Sequence, residues 1–362
     1  MNSQAPPTRV RAVVVADAGW TRRLVTQVLG RDGGFDVVDA AAEGGSDAAS
    51  LVTSAPDLVL IDVEWLEREG MSVVREIRRV RAGLPVFVLS PASERSARTT
   101  LDALAAGATD HVTLPPVTLP QPEAAERLAV DMIPRIRAHM RPEARPAVEP
   151  APVATARAFP RPVRRASVRF VCIAASTGGP HALAELFAGF VQPLPVPVAI
   201  VQHMPPTFTA MLADRLNAST GAARCREACA GDAFVPGVAL LAPGGRHLGV
   251  ARAPDGHLVA RLNEGPPVNA CRPAADVLFA EAAEVVGAGV LGVVMTGMGH
   301  DGRRGAELIR EAGGQVIVQD EASSVVWGMP GTVVRAGLAD AVLPLSRLAA
   351  DISRRVVARP GA

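Results

Sequence analysis

The chain reads as two α/β domains, each a doubly wound parallel sheet, joined by a Pro/Ala-rich linker. The second reads as Rossmann-like. Two observations predict this. Short apolar runs alternate with helical patterns along residues 8–141 and again along 168–357, the rhythm of strands covered by helices on both faces. Between them, residues 142–167 crowd proline and alanine without any period, which suits a spacer and not a packed core. At 362 residues the chain is long enough for two cores.

In the first domain, Val10 to Ala16 reads as a strand, Trp20 to Leu29 as a helix and Leu58 to Asp62 as a buried strand. Val73 to Arg81 is helical, Leu84 to Leu89 extended and Ala97 to Ala106 helical. Ala124 to Met140 makes a closing amphipathic helix in which Pro134 predicts a kink. The second domain opens with a strand over 169–175, a helix from Pro180, a strand over 196–202 and a helix from Phe208. Residues 222–265 are looser. Their Pro-Gly-Gly and Pro-Asp-Gly turn signals predict a β-hairpin. Helix Pro273 to Val286, strand Val290 to Thr296 and helix Arg303 to Ala312 restore the rhythm.

Composition removes several classes of function. The net charge is +1 and no basic stripe is interleaved with aromatics, so nucleic acid is not an expected partner. No apolar stretch approaches the length of a membrane span, and Met1 to Pro7 lacks the pattern of a signal peptide; a cytoplasmic monomer is expected. All 37 basic residues are Arg, for the chain has no Lys. Of the four cysteines, Cys172 lies in a strand-like run as an apolar filler. Cys225 and Cys229 are spaced loosely like a metal clip, but no second ligand pair follows.

Three motifs, each after a strand-like run, carry the chemistry. They are Ser176 in Val171-Cys-Ile-Ala-Ala-Ser-Thr-Gly-Gly-Pro180, His203 in Val201-Gln-His-Met-Pro-Pro206, and Asp301 in Met295-Thr-Gly-Met-Gly-His-Asp-Gly302. Ligands bind at the carboxyl ends of strands in such sheets, so the topology brings these residues toward one crevice. A serine hydroxyl needs an imidazole to take its proton, and the imidazole needs a third group to fix its tautomer. Each residue alone has a plainer reading. Ser-Thr-Gly-Gly could cradle a phosphate, His203 could be a hydrogen-bonded structural histidine, and Asp301 could cap the helix that follows. The pattern is also not a Gly-x-Ser-x-Gly elbow, since Ala174 stands at the first glycine. The three together point to a serine hydrolase.

The segment 168–350 closely resembles the catalytic domain of CheB, the chemotaxis protein-glutamate methylesterase. The resemblance rests on the three motifs and on Ala-Pro-Gly-Gly-Arg-His247, Gly-Pro-Pro-Val-Asn269, Cys271-Arg-Pro-Ala-Ala-Asp276 and Gln319 to Pro330. It implies Ser176 as nucleophile, His203 as general acid and base, Asp301 as its orienting residue, and backbone N–H groups near Thr177 and Met298 as the oxyanion site. The implied substrate is a glutamyl methyl ester on methyl-accepting chemotaxis receptors, with methanol leaving and no cofactor needed for hydrolysis. Some members also deamidate receptor glutamines. His247 and Arg272 match positions near the cleft, Arg272 either binding an acidic receptor surface or making a structural ion pair. His300 reads as a rim residue.

Residues 10 to about 116 resemble a response-regulator receiver. Asp62 matches the phosphoacceptor and Ser90 the hydroxyl that follows the next strand. Two elements are missing. The acidic pair for Mg²⁺ is reduced to Ala16-Asp17, leaving Asp17 and Asp62 as ligands, and Leu114 stands where Lys is expected. Weaker cation binding and no pairing charge for an acyl phosphate should follow. Either Asp62 still accepts phosphate weakly, or the domain docks on a chemotaxis histidine kinase, a receptor or the esterase without it; the departures favour docking. Two rivals to the methylesterase remain at this level. One is a non-catalytic regulator that binds receptors or a kinase. The other is a general serine esterase, which would have a deep apolar pocket.

Overall fold

The computed structural model describes residues 9–41, 51, 53–140, 166–219 and 224–357. The proposed linker lies almost wholly outside the described residues. The chain separates into two compact units, Met1–Arg145 and Pro146–Ala362.

The first unit holds a five-stranded parallel sheet in the order β2-β1-β3-β4-β5. Its strands are β1 (Val10–Val15), β2 (Phe35–Ala41), β3 (Leu58–Asp62), β4 (Val86–Pro91) and β5 (Asp110–Leu114). Every residue of β3 is buried, as a strand covered on both faces requires. Helix Gly19–Asp32 and helix Gln121–Met140 pack together over one face through Leu24, Val28, Leu128 and Met132. Helix Gln121–Met140 runs as one element with Pro134 inside it, the position at which the sequence predicts a kink. Strands β2 and β5 and one helix go unannounced by the sequence pattern. Helix Val63–Glu69 starts directly after β3, with the Asp62 side chain accepting from the Glu64 N–H as its cap.

This order places the reversal of winding between β1 and β3, the crevice where such sheets bind ligands. Asp17 follows β1 and Asp62 ends β3, so both fall at that point.

The second unit is a seven-stranded sheet in the order β14-β13-β12-β6-β7-β9-β8, all of its pairings parallel. The strands are β6 (Phe170–Ala175), β7 (Val198–Gln202), β8 (Arg224–Glu227), β9 (Val238–Leu241), β12 (Val290–Val294), β13 (Gln315–Gln319) and β14 (Ala341–Leu343). The predicted hairpin is present as β10 (His247–Arg252) against β11 (Leu258–Asn263), antiparallel and separate from the main sheet. Helix Ala275–Val286 packs between the hairpin and the sheet, burying Leu278, Phe279 and Ala282. Burying a Phe or Leu side chain contributes roughly 1.5–3 kcal/mol, so this helix is anchored firmly and its N-terminus becomes a fixed point for the site. Here winding reverses at β6. The chain moves outward through β7, then returns to lay β12 on the other side of β6.

Candidate active site

Ser176 follows β6, His203 follows β7 and Asp301 follows β12, so all three stand at the carboxyl ends of the adjoining strands where winding reverses. The His203 N–H donates to the Ala175 carbonyl at 3.2 Å, which ties the residue after β7 to the residue before the serine. The Ser176 N–H donates to the Thr296 carbonyl at 3.0 Å and ties the serine to the β12 side. Buried Gln202 donates through Nε2 to the Ser176 carbonyl at 2.9 Å. The serine backbone is thereby held from both flanking strands.

The glycines of this turn have specific duties. Gly178 sits at φ 76°, a conformation that side chains rarely adopt, and turns the chain into helix Gly179–Ala188. A Cβ on Gly179 would lie 2.8 Å from the Gln202 amide carbon. Among the described residues, neither the Thr177 nor the Met298 N–H finds a protein acceptor. Two unspent donors near a serine are what an oxyanion would need.

His203 Nε2 lies 2.8 Å from Asp301 Oδ2, and His203 Nδ1 lies 3.5 Å from the Cys271 sulfur. Among the described residues no hydrogen bond joins Ser176 Oγ to either ring nitrogen. The structure brings the serine and the histidine to neighbouring strand ends and leaves that last link open. Since Asp301 holds Nε2, the nitrogen available to a serine is Nδ1.

Asp301 is buried and heavily supplied with donors. Besides His203, Oδ2 accepts from Ala275 N–H at 2.6 Å, while Oδ1 accepts from Asp276 N–H, Gly302 N–H and Asn269 Nδ2, each at 3.0 Å. It therefore caps helix Ala275–Val286 from another part of the chain, beyond any role at its own helix. Burial pushes the Asp301 carboxyl up, but His203 and these N–H groups outweigh it and hold it below the usual range. Burial likewise pushes the His203 imidazole down. The bonds to Asp301 and Cys271 more than reverse this and carry its pKa up to about 9.

The remaining candidates separate. His247 is buried, with Nε2 on the Pro266 carbonyl at 3.0 Å and Nδ1 accepting from the Ala274 N–H, so it braces the loop in front of Asp276. Arg272 donates to the Glu264 and Gly265 carbonyls, and among the described residues it makes no ion pair. His300 is exposed. Cys172 is fully buried and burial pushes its thiol up. Cys225 is buried, pushed up to about 12 mainly by desolvation, while Cys229 is exposed. In the sequence Asn269 and Cys271 are only members of longer motifs; the fold is what brings them against Asp301 and His203.

In the receiver-like unit, Asp62 and Ser90 are buried and Asp62 is pushed up to about 6, chiefly by desolvation. Asp17 is ion-paired with Arg68, a partner that nothing in the sequence pattern announces. Of the two carboxylates left for Mg²⁺, one thus already carries a fixed cation. Among the described residues no group of three or more Asp, Glu, His or Cys could hold a metal. The donor set does not fit a receiver-type Mg²⁺ site. Among the described residues no helix is long and apolar enough to cross a membrane.

Residues 171–352 match the CheB methylesterase family and residues 12–117 the response regulator receiver domain. A protein-glutamate methylesterase/protein-glutamine glutaminase of Trichodesmium erythraeum is 39% identical over 96% of this chain and 99% of its own length. One from a Nocardioides strain is 43% identical over 96% of this chain and 95% of its own. The crystal structure of the Thermotoga maritima CheB methylesterase catalytic domain is 38% identical, covering 52% of this chain and 99% of that domain, at a TM-score of 0.50. With the similarity running the length of both domains, the chain belongs to the CheB methylesterase family.

Proposed function

We propose that this protein hydrolyses glutamate 5-methyl esters on methyl-accepting chemotaxis receptors in the cytoplasm, releasing methanol. The observation that carries the reading is the 2.8 Å His203–Asp301 pair beside the Ser176 turn, at the switch point of the sheet. Ser176 Oγ attacks the ester carbonyl while His203 Nδ1 takes its proton. The carbonyl oxygen becomes an oxyanion opposite the Thr177 and Met298 N–H groups. Collapse breaks the bond to methoxide, which takes the proton from His203 and leaves as methanol. Water then attacks the acyl-serine and gives its proton to His203; the acyl–Oγ bond breaks, His203 returns the proton to Ser176 Oγ, and the receptor glutamate leaves as its carboxylate. The same steps on a receptor glutamine would release ammonia in place of methanol, which matches the double name of the relatives.

The test is methanol release from methylated receptor membranes by the full chain and by Ser176→Ala. Release that Ser176→Ala reduces at least ~10³-fold, with unchanged melting, supports the reading. No release by the folded wild type would sink it and promote a receptor-binding regulator.

For the N-terminal domain, the Arg68–Asp17 pair favours docking on a kinase or receptor without phosphorylation of Asp62. Release that acetyl phosphate and Mg²⁺ leave unchanged supports this. Strong activation would show instead that Asp62 accepts phosphate despite Ala16 and Leu114.

A further inference from the structure

Cys271 reaches the imidazole from a turn built in an unusual way. Val268 and Cys271 exchange two backbone hydrogen bonds, Val268 N–H to Cys271 O at 3.0 Å and Cys271 N–H to Val268 O at 2.9 Å. The two residues between them, Asn269 at φ 52° and Ala270 at φ 61°, are both left-handed. Such two-residue turns are normally made with glycine at one or both positions, and a left-handed alanine is held only where its surroundings over-determine it.

Here the surroundings can be named. Asn269 Nδ2 is fastened to Asp276 Oδ2 at 2.8 Å and to Asp301 Oδ1 at 3.0 Å. The carbonyl of Arg272 accepts from the Gly245 N–H at 3.0 Å on the other side. The turn is therefore pinned to the same carboxylate that orients His203, and its closing residue delivers a sulfur to the ring's other nitrogen.

We propose that Cys271 is a positioning residue for His203: its sulfur accepts from Nδ1–H while Asp301 accepts from Nε2–H, holding the base in a doubly bonded resting form. This rests on the reading of His203 as the base. Ser176 can use Nδ1 only once that sulfur contact is given up, in keeping with the open Ser176–His203 link. The ionisable groups facing the ring are Asp301, from the loop after β12, and Cys271, from the turn; Asp276 stands behind Asp301 across Asn269. The sign follows from which form each partner favours. An acceptor at each nitrogen stabilises the charged imidazolium, so removing the sulfur favours the neutral base.

The experiment is an NMR titration of the His203 ring in the full chain, its signals assigned by their loss in His203→Gln. Wild type, Cys271→Ala and Cys271→Ser are compared, and the pH dependence of methanol release is followed for each. Cys271→Ala is expected to lower the His203 midpoint by about one pH unit, with up to ~10-fold more neutral imidazole at pH 7. The ascending limb of the rate profile should move down with it, and Cys271→Ser should recover part of the shift. A midpoint that rises, or falls by less than roughly 0.3 unit, overturns the proposal, because it makes the sulfur a donor or a bystander. If Cys271→Ala does not fold, the same criterion applies to Cys271→Ser. A shifted midpoint in a protein that releases no methanol would leave the Cys271 assignment standing and remove the esterase reading.

Discussion

Asp301 Oδ2 holds His203 through Nε2 at 2.8 Å, and the ring's other nitrogen, Nδ1, is the one paired with Cys271 at 3.5 Å. The imidazole stands between two acceptors, and its charged form is favoured until about pH 9.

A base must be neutral to take a proton, so the rate should follow the deprotonated fraction of His203. Methanol release is expected to climb about tenfold per pH unit from pH 7 and to level near 9. Initial rates between pH 6 and 10 on one receptor preparation check this. A profile flat from pH 7 upward would contradict it. Stability should move the opposite way. The folded-state value lies above the ordinary 6.5, so the stabilisation from this pair is complete below 6.5 and is lost as pH rises through about 9.

Asp301→Asn tests the carboxylate's second role. The amide would turn an NH₂ toward at least one of the donors now satisfied, among Ala275, Asp276 and Gly302 N–H, Asn269 Nδ2 and His203. Wrong-tautomer imidazole should reduce kcat on the order of 10⁴-fold. Leaving a buried donor unmet should cost roughly 1–3 kcal/mol of folding free energy. Denaturant unfolding alongside the kinetics separates the two. Lost activity with unchanged stability would mean that Asp301 does not cap helix Ala275–Val286.

Gly179→Ala tests the fastening of the serine turn. The new methyl would meet the Gln202 amide carbon at 2.8 Å and the Ala175 Cβ at 3.0 Å, both on buried residues with little room to give. Gln202 would have to leave the Ser176 carbonyl. Overpacking of this kind typically costs about 1–3 kcal/mol, and kcat should fall with the melting temperature. A variant that melts and turns over like wild type would show that Gln202 does not hold the serine.

How far this site can be read before folding depends on the range of each interaction. Ser176, His203 and Asp301 are legible because each ends an apolar run that reads as a buried strand, and parallel topology then gathers strand ends. Asp17, Ser90 and Asp62 are legible in the same way. The turn at 268–271 is not, for Asn269 bonds Asp301 from 32 positions away and nothing in Val-Asn-Ala-Cys announces two left-handed residues. Strand β2 (Phe35–Ala41) escapes because it lies at a sheet edge and carries Asp36 and Asp39 among its apolar residues. Helix Val63–Glu69 escapes because it leaves β3 without an intervening turn residue, and its cap is Asp62, a residue already claimed by the strand.

Arg68 shows the same limit in the receiver-like unit and supplies the last test. It lies 51 positions from Asp17, yet its guanidinium takes up the carboxylate that a receiver would offer to Mg²⁺. A guanidinium cannot be deprotonated at any ordinary pH, and a divalent cation brought beside it meets repulsion as well as a missing ligand at Ala16. Arg68→Ala removes that charge and frees Asp17 while Asp62 stays buried. Trp65, three residues before Arg68 on the same helix and buried, offers a fluorescence signal. In wild type, Mg²⁺ up to the order of 10 mM should produce no saturable change. Arg68→Ala should bind at least ~10-fold more tightly, because two carboxylates with retained water can hold Mg²⁺ once the competing cation is gone. Adding Ala16→Asp should tighten it further by restoring the second ligand. Sub-millimolar binding by wild type, or equal binding by Arg68→Ala, would show that Arg68 does not compete with the metal, and would return Asp62 to consideration as a working phosphoacceptor.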